Sequence, residues 1–359
     1  MAKDQIFDAG RLIMAGLPGP TLDESTIKLI QDLKICNFIL FRRNIQTPLQ
    51  LKRLCRDLAA VCNKFRLPAP LIAIDQEGGS VARLPPPFSQ FADARLISQT
   101  DNPEESARNF ARTCARELCS VGITMNLAPV LDVCPVGQGC VMERRCLSEN
   151  PAEVATLGAI IINEMQNNGV AACAKHFPGL GHVTKDPHQD MPLVNKKSED
   201  LFKEDLIPFK RAMLAEVAAI MTSHTMYLGL DPRHPATLSS AILTGLLREK
   251  LAYRGLIITD DLEMGAIENN QPVATAALEA FMAGADLLLI CQEQAKVTEA
   301  CRRLQEAYCS GMFSEQRIAA SLSRIDAVRN RFACFGRNTH LRQDKEQKGF
   351  FRQCADSSG

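Results

Sequence analysis

The sequence predicts a single (β/α)8 barrel followed by a short C-terminal extension. Three observations carry this. Short apolar runs alternate with helix-spaced segments along nearly the whole chain, the pattern of a parallel α/β fold. Eight such runs fall within about 300 residues, the number a barrel needs. No Gly-x-Gly-x-x-Gly follows the first run, so the fingerprint of a doubly wound dinucleotide-binding sheet is missing.

Taken in order, the first strand is expected at 12–15 (Leu-Ile-Met-Ala), with a helix-spaced segment at 26–34. A strand at 38–41 leads to a helix at 48–64, and a strand at 71–75 to a helix at 104–121. Strands at 124–128 and 171–175 are separated by a helix at 151–168. A helix at 202–216 precedes a strand at 220–223, and one at 240–251 precedes a strand at 256–260. The last pair is a helix at 273–283 and a strand at 286–291. The alternation stops near Phe332. Residues 1–335 are therefore read as the barrel, and the polar, basic 336–359 as an extension, partly helical or disordered.

Composition removes several functions. The chain has 359 residues with 41 basic and 41 acidic side chains, so no cationic excess points to nucleic acid or an anionic membrane. No apolar stretch approaches the roughly 20 residues that span a bilayer. The first residues carry no basic-then-apolar signal, so a cytoplasmic location with reduced thiols is expected. Among the fourteen cysteines, Cys134, Cys140 and Cys146 are evenly spaced and could ligate a metal. They match none of the common zinc spacings, so buried or loop thiols are expected and no metal or cofactor. With no tryptophan and three tyrosines, a sugar-stacking platform would be weak or use phenylalanine, which favours recognition by polar groups.

The chemistry gathers at strand ends, where barrel active sites sit. The third strand ends in Asp75-Gln76-Glu77-Gly78-Gly79, and the fourth runs into Asp132 and a long loop carrying Arg144 and Arg145. The fifth ends in Lys175-His176, the sixth in Ser223-His224, the seventh in Asp260-Asp261. One such acid is ordinarily a helix cap or an ion-pair partner. Five polar strand ends on one rim need a further reason, because burying several charges together is costly without a ligand. Past the fifth strand lies Asp186-Pro187-His188. On extended backbone these two side chains point the same way, and the carboxylate can orient the imidazole as a general acid/base. A carboxylate at strand seven with a proton donor nearby suits a retaining glycosidase. Metal hydrolysis fits less well, since His-Glu-x-x-His is absent.

Together these segments resemble the family 3 glycoside hydrolases, in particular the single-domain bacterial β-N-acetylhexosaminidases of peptidoglycan recycling. The resemblance runs over about residues 12–329. It comprises Asp-Gln-Glu-Gly-Gly at 75–79 with Arg83, Asn-x-Ala-Pro-Val-x-Asp-Val at 126–133, and Arg-x-x-x-x-x-Pro at 145–151. It continues with Lys-His-Phe-Pro-Gly at 175–179, the Asp186 and His188 pair, and Thr-Asp-Asp-Leu-x-Met at 259–264. The resemblance implies Asp260 as nucleophile, His188 as general acid and then base, and Asp186 as its partner. It implies Asp75, Arg83, Arg145, Lys175 and His176 as ligands of a terminal N-acetylglucosamine.

The pattern is not uniform. Leu180 stands where the family has a histidine, with His182 two residues on as a candidate replacement. Ser80 stands where a cation is usual, Leu147 where an aromatic is common, and Pro187 between the paired residues. Proline biases Asp186 to extended backbone and should stiffen the pair. The substrate implied is a small carbohydrate, a muropeptide fragment ending in N-acetylglucosamine, acted on by a monomer. A neutral imidazole in place of the usual acid/base carboxylate would not repel an anion, so a β-N-acetylglucosaminide phosphorylase is one alternative, and a broader β-hexosaminidase another. A Schiff-base aldolase using Lys175 is a distant third.

Overall fold

A computed structural model describes residues 7–183 and 191–332. Asp186, His188 and the extension expected from Gly336 lie outside the described residues.

All eight expected strands form and close into one parallel barrel. They are β1 (Ile13–Gly16), β2 (Asn37–Leu40), β3 (Leu71–Ile74), β4 (Met125–Asn126), β5 (Ala171–Phe177), β6 (Ala219–Thr222), β7 (Leu256–Asp261) and β8 (Leu287–Ile290). Neighbours in sequence are neighbours in space, and β1 closes on β8 through Ile13 opposite Leu288 and Ala15 opposite Ile290. A parallel strand is covered on both faces, by helices outside and layered side chains inside, so it reads as an unbroken apolar run. Every residue of β1, β2, β3, β5 and β8 is accordingly buried.

The outer helices start where the sequence supplies caps. The side chain of Thr47 accepts from the Gln50 N–H at 3.1 Å, with Pro48 in the first turn. Asn102 does the same for Glu105 at 3.2 Å ahead of Pro103, and Asn150 for Ala152 at 2.9 Å ahead of Pro151. Such caps satisfy N–H groups that have no partner inside the helix, and proline fits where no N–H is needed. Pro48–Lys64 buries Leu51, Leu54, Cys55, Leu58 and Cys62 as one stripe against the barrel.

Several expected elements differ in detail. The helix expected at 202–216 is two, Ser198–Lys203 and Leu206–Leu214. The helix expected at 240–251 is wound with π-type bonding over Ala241–Lys250. The strand expected at 124–128 is regular only over Met125–Asn126, although bonding to β5 continues beyond it: the Cys173 N–H donates to the Ala128 carbonyl at 2.9 Å and the Lys175 N–H to the Pro129 carbonyl at 3.2 Å. Two further helices, Gln294–Cys309 and Glu315–Arg331, follow β8. The latter helps close the N-terminal face, where buried Asp286 accepts from Ser321 at 2.6 Å, Arg324 at 2.9 Å and Arg248. That leaves the opposite rim for the site. Among the described residues, no helix is long and apolar enough to cross a membrane.

Candidate active site

The C-terminal rim of the barrel encloses a cavity of about 180 Å³. Asp75, Arg83, Arg145, Lys175, His176 and Asp260 all line it, with Val81, Val141, Met142, Leu180 and Met264. These are six of the eight residues singled out from the sequence, drawn from four separate strand ends and loops. Asp75 follows β3, Arg83 follows a small hairpin of Gln76–Gly78 and Val81–Ala82, and Arg145 comes from the loop after β4. Lys175 and His176 belong to β5 and Asp260 to β7, and the Lys175–His176 peptide is cis.

Lys175 sits at the centre of an ion-pair network. Its Nζ donates to Asp75 Oδ1 at 2.7 Å and lies 2.6 Å from Glu77 Oε1. Arg145 grips Glu77 with two bonds, Nε to Oε2 and Nη2 to Oε1, each 2.8 Å. Arg83 Nη2 reaches Asp75 Oδ2 at 3.4 Å. Lys175 is only 2% exposed and Glu77 4%, so these charges persist only because each has partners. Burial alone would push the Glu77 carboxyl up, but Lys175 and Arg145 outweigh it and hold it below the usual carboxylate range. Burial likewise works against the Lys175 ammonium, and Asp75 and Glu77 reverse that, raising it above an ordinary lysine.

A second chain of groups leads to Asp260. Asp132, fully buried after β4, accepts from the His176 backbone N–H at 3.1 Å and faces its Nδ1 at 2.8 Å. A carboxylate at Nδ1 keeps a proton there, and Nε2 is turned toward Asp260 Oδ2, 4.0 Å away. Asp260 Oδ1 accepts from the Asp261 N–H at 2.8 Å. Burial raises the Asp260 carboxyl, but His176, His224 and Lys175 bring it below the ordinary value, so it stands ionised. Its neighbour behaves oppositely. Burial, with the Glu263 and Asp260 charges, pushes Asp261 up to about 7. His224, on the rim after β6, spans Thr237 Oγ1 at 2.8 Å and the Asp261 carbonyl at 2.9 Å.

The loop leaving β5 is pressed tightly against the barrel top. A Cβ on Gly181 would fall 1.9 Å from the Val133 carbonyl oxygen, so only glycine permits that approach. The Leu180 N–H donates to Asp132 Oδ1 at 2.6 Å, and its side chain lines the cavity. His182 does not take the missing histidine's place. Its Nε2 faces Lys196 Nζ at 3.1 Å and Asp205 Oδ1 at 3.7 Å, apart from the residues lining the cavity. His182, Glu204 and Asp205 form a set of metal-type ligands within 4.8 Å of one another. Lys196 Nζ already lies 2.6 Å from both carboxylates, so an ammonium meets that cluster's need for a cation.

Sequence reading gave no role to Glu77 or Asp132, although both fall inside quoted motifs. Charge balance could have found Glu77, since the assigned sugar ligands hold three cations, Arg83, Arg145 and Lys175, but one carboxylate, Asp75. Asp132 had no comparable signal, because its work is done through one histidine and two backbone N–H groups.

The comparisons with known proteins agree with this geometry. The model of the glycosyl hydrolase family 3 N-terminal domain matches residues 9–328. A β-hexosaminidase of Nitrosomonas eutropha is 34% identical over 298 residues, covering 82% of this chain and 84% of that protein. One of Thioalkalivibrio sulfidiphilus is 36% identical, covering 80% and 83%. Among solved structures, a family 3 β-N-acetylglucosaminidase from Paenibacillus sp. FPU-7 superposes with a TM-score of 0.88 at 34% identity, over 98% of this chain and 68% of that one. NagZ from Neisseria gonorrhoeae, solved with N-trifluoroacetyl-D-glucosamine, gives 0.79 at 27% identity over 97% and 98%. A barrel whose rim carries this set of charged groups, matched by a family model over nearly its whole length, leaves one assignment: the chain belongs to glycosyl hydrolase family 3 and is a glycoside hydrolase.

Proposed function

We propose that this enzyme is a retaining exo-β-N-acetylglucosaminidase that releases terminal β-linked N-acetylglucosamine from muropeptide fragments. The observation that carries the reading is an ionised Asp260 facing a cavity otherwise ringed by hydroxyl-binding groups. Asp260 attacks the anomeric carbon and forms a covalent glycosyl-enzyme, which water then hydrolyses. His188 protonates the departing oxygen in the first step and activates water in the second, with Asp186 orienting it. Asp75 accepts hydrogen bonds from sugar hydroxyls, while Lys175, Arg145 and Arg83 donate them. These bonds can strengthen as the ring approaches an oxocarbenium ion. Asp132 orients His176, whose Nε2 faces the nucleophile.

The cavity volume supports an exo action on one sugar. At about 180 Å³ it is smaller than the roughly 300–1,000 Å³ of sites for drug-sized ligands. N-acetylglucosamine as the sugar is supported by the β-N-acetylglucosaminidase and the N-trifluoroacetyl-D-glucosamine complex among the similar structures. The aldolase reading loses ground, because a Schiff-base lysine needs a neutral amine and two carboxylates hold Lys175 as ammonium.

The test is turnover of a chromogenic β-N-acetylglucosaminide by wild type, Asp260→Ala and His188→Ala. The Asp260 variant should lose on the order of 10⁴-fold or more in kcat. The His188 variant should lose about 10²–10⁴-fold. An Asp260 variant as active as wild type would overturn the reading.

A further inference from the structure

The two ends of the loop after β5 meet on one buried carboxylate. The chain leaves β5 at Phe177, and Gly179 passes so close to Asp205 that a Cβ there would lie 2.8 Å from the Asp205 Cβ. The hydroxyl of buried Tyr227 donates to the Gly179 carbonyl at 2.9 Å. Further on, His182 turns its Nε2 to within 3.7 Å of Asp205 Oδ1. The chain returns through Leu193–Val194, which pairs in parallel with Met226–Tyr227. Lys196 follows, seated so tightly against Gly229 that a Cβ on that glycine would fall 2.3 Å from the Lys196 carbonyl oxygen.

Lys196 Nζ joins the two ends. It donates to Asp205 Oδ2 and to Glu204 Oε2, each at 2.6 Å, and lies 3.1 Å from His182 Nε2. An ammonium only donates, so the imidazole accepts at that nitrogen. Asp205 is 1% exposed and stands at the junction of the helices Ser198–Lys203 and Leu206–Leu214, which anchors it to the outer layer of the barrel. A carboxylate buried that deeply persists as an anion through its partner, and the partner comes from the returning end of the loop. The outgoing end is also registered to the sugar site. Leu180, between Gly179 and His182, lines the cavity and donates its N–H to Asp132 at 2.6 Å.

We propose that Asp205 and Lys196 are positioning residues for the proton-donating step: together they fix both ends of the loop after β5, and so the place of the donor that the loop carries. This rests on the reading of His188 as the acid/base, which falls between His182 and Lys196 in the sequence. Neither Asp205 nor Lys196 lines the sugar cavity, so both act through the loop and not on the substrate. Apolar packing could join the same surfaces with equal stability, whereas a buried ion pair fixes one geometry. Loss of the pair therefore misplaces the donor while leaving Asp260 and the sugar ligands where they are.

The experiment compares 2,4-dinitrophenyl and phenyl β-N-acetylglucosaminides on full-length wild type, Asp205→Asn and Lys196→Met, each checked for folding by circular dichroism. Dinitrophenolate departs without a proton and phenolate needs one, so a misplaced donor slows only the second reaction. For Asp205→Asn, kcat/KM should fall about 10²-fold on the phenyl glycoside and no more than roughly threefold on the dinitrophenyl one. Lys196→Met should show the same selectivity, and it carries the test if Asp205→Asn does not fold. Equal losses on the two glycosides, as from a merely structural defect, or no loss on either, would overturn the proposal. So would the failure of both variants to fold. His188→Ala separates the two claims: equal losses on both glycosides from that variant would count against the acid/base reading, while the Asp205 and Lys196 variants would still decide whether the pair positions a proton donor.

Discussion

Nε2 of His176 lies 4.0 Å from Oδ2 of Asp260, and the same imidazole is held from behind by Asp132 at 2.8 Å. The nucleophile proposed here therefore faces a histidine whose orientation depends on a residue that does not line the cavity. Asp132 also accepts from the backbone N–H groups of His176 and Leu180, so one buried carboxylate fixes the end of β5 and the loop after it.

Replacing Asp132 with Asn keeps the shape but lets the ring proton move to Nε2. We expect kcat to fall by about 10²-fold, the scale of a small misplacement of reacting groups, with KM changed less. The pH–rate profile should also shift, which a purely structural defect would not cause. Steady-state kinetics across pH on a folded variant checks this, and an unchanged kcat and profile would remove Asp132 from the account.

Glu77 is the counterion for both Lys175 and Arg145. Removing it as Glu77→Ala leaves buried cations short of a partner, so we expect a loss of about 3–5 kcal/mol in stability. Because the Glu77 carboxyl is depressed, its contribution is present above the ordinary glutamate range and is lost as pH falls through its folded value. Urea unfolding of wild type and variant at neutral and acidic pH should show the difference shrinking in acid.

Asp260 and Asp261 are adjacent but opposite in character. Asp261 titrates near 7 in the folded protein, above its unfolded value of 3.8, so the fold binds the extra proton between those values. Its contribution is full below about 3.8 and declines as pH rises toward about 7. Asp261→Asn should therefore be at least about 1 kcal/mol more stable than wild type at pH ~8. It should keep activity within roughly 10-fold, whereas Asp260→Asn should lose on the order of 10⁴-fold. Similar losses in the two variants would make the assignment of the nucleophile wrong.

The cavity cations are already matched by carboxylates: Lys175 by Asp75 and Glu77, Arg145 by Glu77, Arg83 by Asp75. A phosphate acceptor would have to compete with those acids. In phosphate buffer we expect free N-acetylglucosamine, and chromatographic detection of sugar 1-phosphate as the main product would show a phosphorylase instead.

The barrel was legible because each strand carries its own local signature, an apolar run bounded by polar residues, and burial on both faces demands it. The strand ends were legible for the same reason, since Asp75, Lys175, His176 and Asp260 interrupt those runs. The parts that were not legible depend on distances between remote residues. Asp132 and Glu77 act on other side chains, 44 and 68 positions away in sequence for His176 and Arg145. His182 looked like a substitute for a missing histidine by position alone, and its ring instead joins Lys196 and Asp205. The split of the 202–216 helix and the π-winding of Ala241–Lys250 left no periodic trace strong enough to read.

The most direct measurement is to trap the covalent intermediate with a fluorinated N-acetylglucosaminyl donor that slows deglycosylation, and to locate the label by peptide mass spectrometry. The account predicts one sugar on the tryptic peptide beginning at Gly255, with fragmentation placing it on Asp260. The sugar first released from an unmodified substrate should keep its β configuration. A label on another residue, or no label together with an inverted product, would contradict it.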